Sequence, residues 1–243
     1  MRLPRNRLSQ PLAVGKELAL PKSIARHVQQ VLRMKPGQDI ILFNGMDGID
    51  YRTTLLQVDK KQVLARIVDC GDVEAAPKLA IHLALGMSRG ERMDLALQKS
   101  VELGVDQITP LITERTQYRL SAQRLEKRMQ HWQGIIINAC EQSGRRWIPT
   151  LNPVEKLRPW LEETKEMLFF MDPEARTSLA DIAAPKGSMC FLIGPEGGFS
   201  KQESALAAAA GATAIRLGPR ILRTETAPLA AISAAQILWG DFL

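Results

Sequence analysis

Short runs of apolar residues, broken by turn-forming pairs, dominate roughly the first seventy positions of the chain. Asp39–Phe43 reads as a strand, and Tyr51–Val58 and Gln62–Val68 alternate loosely enough to pair across Asp59-Lys60-Lys61. Asn44-Gly45 and Asp47-Gly48 supply turns. One helix is expected over about Pro21–Leu32, closed by Pro36-Gly37. The pattern predicts a small β-barrel-like module, and the polar stretch Gly71–Lys78 reads as its linker.

From Leu79 the rhythm changes to strand and helix in alternation. Strands are expected at Leu79–Met87, Asp106–Ile112, Glu166–Met171, Met189–Ile193 and Thr213–Leu217. Ser88 stands three residues before Glu91, which predicts a capping box opening a helix to Leu103, with Gly104 as its stop. Leu125, Met129, Trp132, Ile135, Ile136 and Ala139 recur at helical spacing after Ser121. Further helices are expected at Val154–Glu163, Thr177–Ala183, Lys201–Ala210 behind a second capping box of Ser200 and Glu203, and Thr226–Trp239. Pro228 is tolerated in the first turn of the last helix, where its missing N–H has no intrahelical partner to lose. Such alternation predicts an α/β fold with a mainly parallel sheet. The division expected is therefore residues 1–72 and 73–243.

Charge adds a partner class. The 243 residues carry a net charge of +6. Arg2, Arg5, Arg7, Lys16, Lys22, Arg26, Arg33 and Lys35 face a single acid, Glu17, within the first 35 positions. A block of one sign is a solvated face or a phosphate-binding surface, and the density here favours nucleic acid. The three cysteines are scattered, with neither metal-ligand spacing nor a disulfide framework. A reducing cytoplasm is the expected compartment. No run has signal-peptide character or the length to span a bilayer, so no membrane partner is expected.

The candidate chemistry sits in two glycine-bearing loops. Leu192–Ser200 (LIGPEGGFS) and Leu217–Ala227 (LGPRILRTETA) each follow an apolar run and precede a helix. That places both at the carboxyl ends of strands, where open α/β sheets bind ligands. There is no GxxxxGK[ST] or GxGxxG after a first strand and no GxSxG elbow, and His27, His82 and His131 are scattered. Phosphate-loop, dinucleotide, hydrolase and zinc readings lose support. Arg223, Thr224, Glu225 and Thr226 crowd charge and hydroxyls into one turn: Thr224 or Thr226 suits a helix N-cap, while Arg223 and Glu225 suit a substrate. The run Glu141–Arg146 (EQSGRR) ends a helix with a glycine stop and two cations, which either complement the helix dipole or grip phosphate.

LIGPEGGFS, LGPRILRTETA, QKSVELGV at Gln98–Val105, EQSGR at Glu141–Arg145, VLRMKPGQ at Val31–Gln38 and MSRGERMD at Met87–Asp94 together resemble the RsmE-type ribosomal RNA methyltransferases of the SPOUT superfamily. The resemblance covers nearly the whole chain. It implies a PUA-like RNA-binding β-barrel, a C-terminal α/β domain with a deep trefoil knot, and a homodimer. It implies S-adenosylmethionine as cofactor and N3 of a uridine in small-subunit ribosomal RNA as target, in free RNA or in the assembled subunit. The donor site then falls on Ile193, Gly194, Pro195, Glu196, Gly197, Gly198, Leu217, Gly218, Ile221, Leu222, Thr226 and Ala227. Arg223 would supply a cation at the imide oxygens and Glu225 a general base. Arg5, Arg7, Lys22, Arg26, Arg33, Arg89, Arg92, Arg145 and Arg146 are the candidate RNA contacts.

Overall fold

The computed structural model describes residues 3–116 and 121–242. It forms two compact units, Met1–Ala75 with Cys140–Ile148, and Ala76–Ala139 with Pro149–Leu243.

The first unit is a five-stranded sheet. Its strands are β1 (Arg5–Arg7), β2 (Glu17–Ala19), β3 (Asp39–Phe43), β4 (Tyr51–Val58) and β5 (Val63–Cys70), in the order β1-β3-β4-β5-β2. β1 runs parallel to β3, and the other pairs are antiparallel. Alternate positions of the long strands point inward, so Ile40, Leu42, Leu55, Val63, Ala65 and Ile67 are fully buried and form one core with Val28. Each of the Ile, Leu and Val side chains contributes about 1.5–3 kcal/mol relative to exposure. The helix expected at Pro21–Leu32 is shorter: α1 (Lys22–Arg26) runs into a π-helical turn at His27–Val31, and Arg33 follows at φ 51°. Two strands went unread, β1 and β2, because three residues are too few to show a period of two.

Cys140–Ile148 completes this unit. The Arg5 guanidinium donates to the Cys140 carbonyl at 2.7 Å, and the Glu141 carboxylate accepts the Arg7 N–H at 2.8 Å. The Arg146 N–H donates to Glu74 at 2.7 Å, and its side chain faces Asp50 at 3.4 Å. The EQSGRR segment is thus a strap across β1.

The second unit is a parallel sheet of β6 (Ala80–Gly86), β7 (Gln107–Ile112), β8 (Thr150–Leu151), β9 (Glu155–Lys156), β10 (Met167–Met171), β11 (Ser188–Ile193) and β12 (Thr213–Ile215). The order is β12-β10-β11-β6-β7-β8, with β9 on β7. β6 and β11 are central and read as continuous apolar runs because helices cover both faces. Those helices are α2 (Glu91–Glu102), α3 (Ala122–Ser143), α4 (Leu157–Glu163), α5 (Lys201–Ala209) and α6 (Thr226–Trp239). Gln236 on α6 donates to the Leu103 carbonyl at 3.2 Å, which ties α6 to the end of α2.

Three local expectations are corrected. Ser88 does not cap α2; the helix starts after Gly90 without a side-chain cap. Neither Thr224 nor Thr226 caps α6, whose N-cap is Glu225, again without a side-chain cap bond. The helix expected at Thr177–Ala183 is a 3-10 turn, Leu179–Asp181, capped by Ser178. The Ser200–Glu203 capping box forms as expected, with Ser200 Oγ 3.1 Å from the Glu203 nitrogen and Glu203 Oε2 2.9 Å from the Ser200 nitrogen.

Candidate active site

The loops that leave the carboxyl ends of β10, β11 and β12 converge on a cleft of about 580 Å³ in the second unit. Ile193, Leu217, Leu222 and Ala227 give it apolar walls, and Gly194–Gly198 gives it a main-chain side. Pro195, Glu196 and Ile221 also line it, whereas Gly218 and Thr226 do not. Gly197 packs closely: a Cβ there would lie 3.1 Å from the Cβ of Arg115, whose guanidinium donates to the Gly197 carbonyl at 2.6 Å. Glu196 turns away from solvent to accept the Arg89 N–H at 3.0 Å, with the Arg92 guanidinium 3.5 Å away. The loop is therefore held by contacts with the segments that follow β6 and β7.

Arg223 and Glu225 both line the cleft, in different states. The Arg223 side chain is 80% exposed and the Glu225 side chain 14%, with 4.0 Å between their charged atoms. Glu225 Oε2 is buried and has no hydrogen-bond partner. An acceptor buried without a protein donor is costly, and this oxygen is open to a donor brought by a ligand. Arg92, Arg115, Arg216 and Arg220 join Arg223 along the cleft wall. A concave, half-apolar site rimmed by five guanidinium groups and holding one orphan carboxylate oxygen suits an anionic polymer presenting a base.

Residues 75–236 match the RNA methyltransferase domain family, and residues 20–68 match the RNA methyltransferase PUA domain family. The ribosomal RNA small subunit methyltransferase E of Buchnera aphidicola subsp. Schizaphis graminum is 35% identical over 242 residues, spanning 99% of this chain and 98% of that one. The chain belongs to the ribosomal RNA small subunit methyltransferase E family. A solved structure of this enzyme from Neisseria gonorrhoeae, bound to S-adenosyl methionine, is 43% identical, covers both chains fully and superposes with a TM-score of 0.93. A putative methyltransferase from Legionella pneumophila in complex with the same cofactor is 40% identical over both full chains, with a TM-score of 0.95.

In this methyltransferase E chain the candidate RNA contacts divide sharply. Lys22, Arg26 and Arg33 are exposed. Arg5 is a correction: its side chain is 4% exposed, pairs with Asp50 at 2.6 Å and stacks 4.6 Å over Phe43. A guanidinium so enclosed presents no surface to phosphate. Arg7 is half-buried on the same strand, and its guanidinium donates to Ser9. Arg145 and Arg146 are half-buried in the strap, with Arg146 turned onto Asp50 and the Asp72 carbonyl. Arg89 and Arg92 are exposed where β6 gives way to α2. Arg2 lies outside the described residues.

A second polar cluster sits under the sheet. His82 contacts Glu166 at 2.5 Å and Thr109 at 2.8 Å, and the Cys190 sulfur lies within 4.8 Å of the polar atoms of His82 and Glu166. Both ring nitrogens of His82 are engaged and Trp160 packs edge-on against it at 5.9 Å, so the histidine is a satisfied core residue. Burial pushes the Cys190 thiol well above its ordinary value.

Arg115, Met171, Asp172 and Ser204 were not anticipated, yet all line the cleft. The signal existed: Arg115 follows β7 and Asp172 follows β10, so the rule that placed the two glycine loops applies to them as well. Among the described residues no helix is long and apolar enough to cross a membrane.

Proposed function

We propose that this chain transfers a methyl group from S-adenosylmethionine to N3 of a uridine in small-subunit ribosomal RNA. The observation that carries the reading is Glu225 Oε2, buried and unpartnered in the wall of a cleft with one main-chain side. The residues present fit the cofactor. Ile193, Leu217, Leu222 and Ala227 would flank its adenine, and main-chain groups of Gly194–Gly198 and of Leu217 would pair with the polar edge. S-adenosylmethionine supplies a methyl group already activated by a sulfonium, so placement of the acceptor decides the rate.

The chain's own residues handle the acceptor. Uridine N3 carries a weakly acidic proton, and its anion is the better nucleophile. Glu225 accepts that proton, and Arg223 offsets the charge that develops on the imide oxygens. The arrangement of one acceptor beside one cation matches an N–H next to a carbonyl. It mismatches cytosine, whose N3 is itself an acceptor. N3 is blocked in a base pair, so the target uridine is single-stranded or swung out of its stack. The guanidinium groups at Arg92, Arg115, Arg216 and Arg220 then grip the flanking phosphates.

The working form is a homodimer in the cytoplasm. Ile237, Leu238 and Phe242 are 51%, 42% and 45% exposed around the end of α6, an apolar group suited to a second copy. Incubation with the donor and small-subunit RNA lacking the modification, followed by nucleoside mass spectrometry, tests the reading. Accumulation of 3-methyluridine is expected; a methylated ribose or another base would overturn it.

A further inference from the structure

Three loops of the second unit meet at two hydroxyls. Thr224 Oγ1 donates to the Gly194 carbonyl at 2.9 Å and lies 3.2 Å from Ser88 Oγ. Thr224 has one hydroxyl proton and spends it on Gly194, so its oxygen accepts from Ser88, whose single proton is shared with the Gly86 carbonyl at 3.4 Å. Ser88 comes from the segment after β6, Gly194 from the loop after β11, and Thr224 from the turn before α6. Ser88 is 1% exposed and Thr224 8%. The loops are also pressed together sterically: a Cβ on Gly86 would lie 2.5 Å from Pro195.

The local sequence offers both hydroxyls a different role. Each stands just ahead of a helix, where serine and threonine ordinarily cap the free N–H groups at a gain of about 1 kcal/mol. Neither α2 nor α6 has a side-chain cap bond. Both hydroxyls bridge between loops instead. A buried polar bridge of this kind fixes geometry, because each partner left alone would be an unsatisfied group.

We propose that Ser88 and Thr224 form a positioning relay that sets the Gly194 carbonyl, and through it the donor loop, against the turn carrying Arg223 and Glu225. The inference rests on the reading that the cleft holds the methyl donor. Thr224 lies between the two residues assigned to the acceptor, and the Arg223 carbonyl receives the N–H groups of Thr226 and Ala227 at 2.9 Å each. Anchoring Thr224 to Gly194 therefore joins the donor side of the cleft to the acceptor side. Thr224 lines the cleft with its hydroxyl committed to Gly194, and Ser88, outside the lining, acts through Thr224.

Steady-state methyl transfer by the full chain, with donor and RNA varied separately, tests the relay in Thr224→Val, Thr224→Ser and Ser88→Ala. Thr224→Val removes the hydroxyl at nearly constant shape and, by letting the donor loop shift, should raise KM for the donor about tenfold with KM for RNA unchanged. Thr224→Ser restores the hydroxyl and should restore the donor KM. Ser88→Ala should shift the donor KM in the same direction by less, and it carries the test if Thr224→Val does not fold. A merely structural role would lower the unfolding midpoint of Thr224→Val and leave donor KM at the wild-type value; that result overturns the relay, as does failure of Thr224→Ser to rescue. Absence of donor binding by the wild-type chain, seen by calorimetry, would instead overturn the proposed function itself.

Discussion

The guanidinium of Arg5 lies 2.6 Å from the carboxylate of Asp50, enclosed by Phe43 and the carbonyl of Cys140. Removing Arg5 takes the nearer cation from Asp50, which keeps Arg146 at 3.4 Å, and leaves the buried Cys140 carbonyl without this donor. Arg5→Ala should therefore cost about 1–3 kcal/mol of stability by denaturant titration. It should leave the salt dependence of RNA binding untouched. A small stability loss with a flatter salt slope would return Arg5 to the RNA surface.

Lys22, Arg26 and Arg33 are exposed members of the N-terminal basic group, alongside Lys16 and Lys35. Replacing all three should lower the slope of log K against log salt by up to about 2–3, since each phosphate contact contributes roughly 0.7–0.9. Arg33 should be changed to Asn, which tolerates its φ of 51°. An unchanged slope would make this face a merely solvated one.

Arg223→Gln and Glu225→Gln should each lower kcat by about a hundredfold, in the range of a lost acid–base or charge-stabilising group. Donor affinity measured by calorimetry should stay near wild type. Because Glu225 makes no side-chain cap bond to α6, its substitution should leave the unfolding midpoint unchanged. A lowered midpoint with intact turnover would mark Glu225 as a helix-end residue only.

Burial raises the Glu141 carboxyl above its ordinary value, partly offset by the Arg7 N–H and by the charges of His27, Arg5 and Arg7. The folded state then holds this proton at pH values where the unfolded chain has released it. Stability contributed by the group is fully present below the unfolded value and lost as pH rises through the raised one. Glu141→Gln keeps an acceptor for Arg7 and removes the titration. Unfolding measured from about pH 4 to 8 should show wild type losing ground to the variant as pH rises. A difference that does not change with pH would contradict this.

Much of the site was legible because short-range patterns encoded it. The two glycine loops followed apolar strands, and most of the residues expected at the donor site line one cleft, Gly218 and Thr226 excepted. The bounds of α6 came directly from Thr226, Pro228 and the apolar run that follows. Beyond the three-residue strands β1 and β2, the main failures come from competition by partners distant in sequence. Ser88 and Thr224 look like caps locally, yet their bond spans 136 positions. Arg5 looks like one cation among many until Asp50 and the Cys140–Ile148 strap close over it. Arg115 and Asp172 stand alone in their loops, without a motif, and only the sheet order brings them to the cleft.

The most direct test is a crystal structure of the chain with S-adenosylhomocysteine and a short RNA bearing the target uridine. The nucleoside should lie along Gly194–Gly198, with uridine N3 within hydrogen-bond reach of Glu225 Oε2 and an imide oxygen facing Arg223. A uridine whose N3 points away from Glu225, or a cofactor bound outside this cleft, would contradict the account.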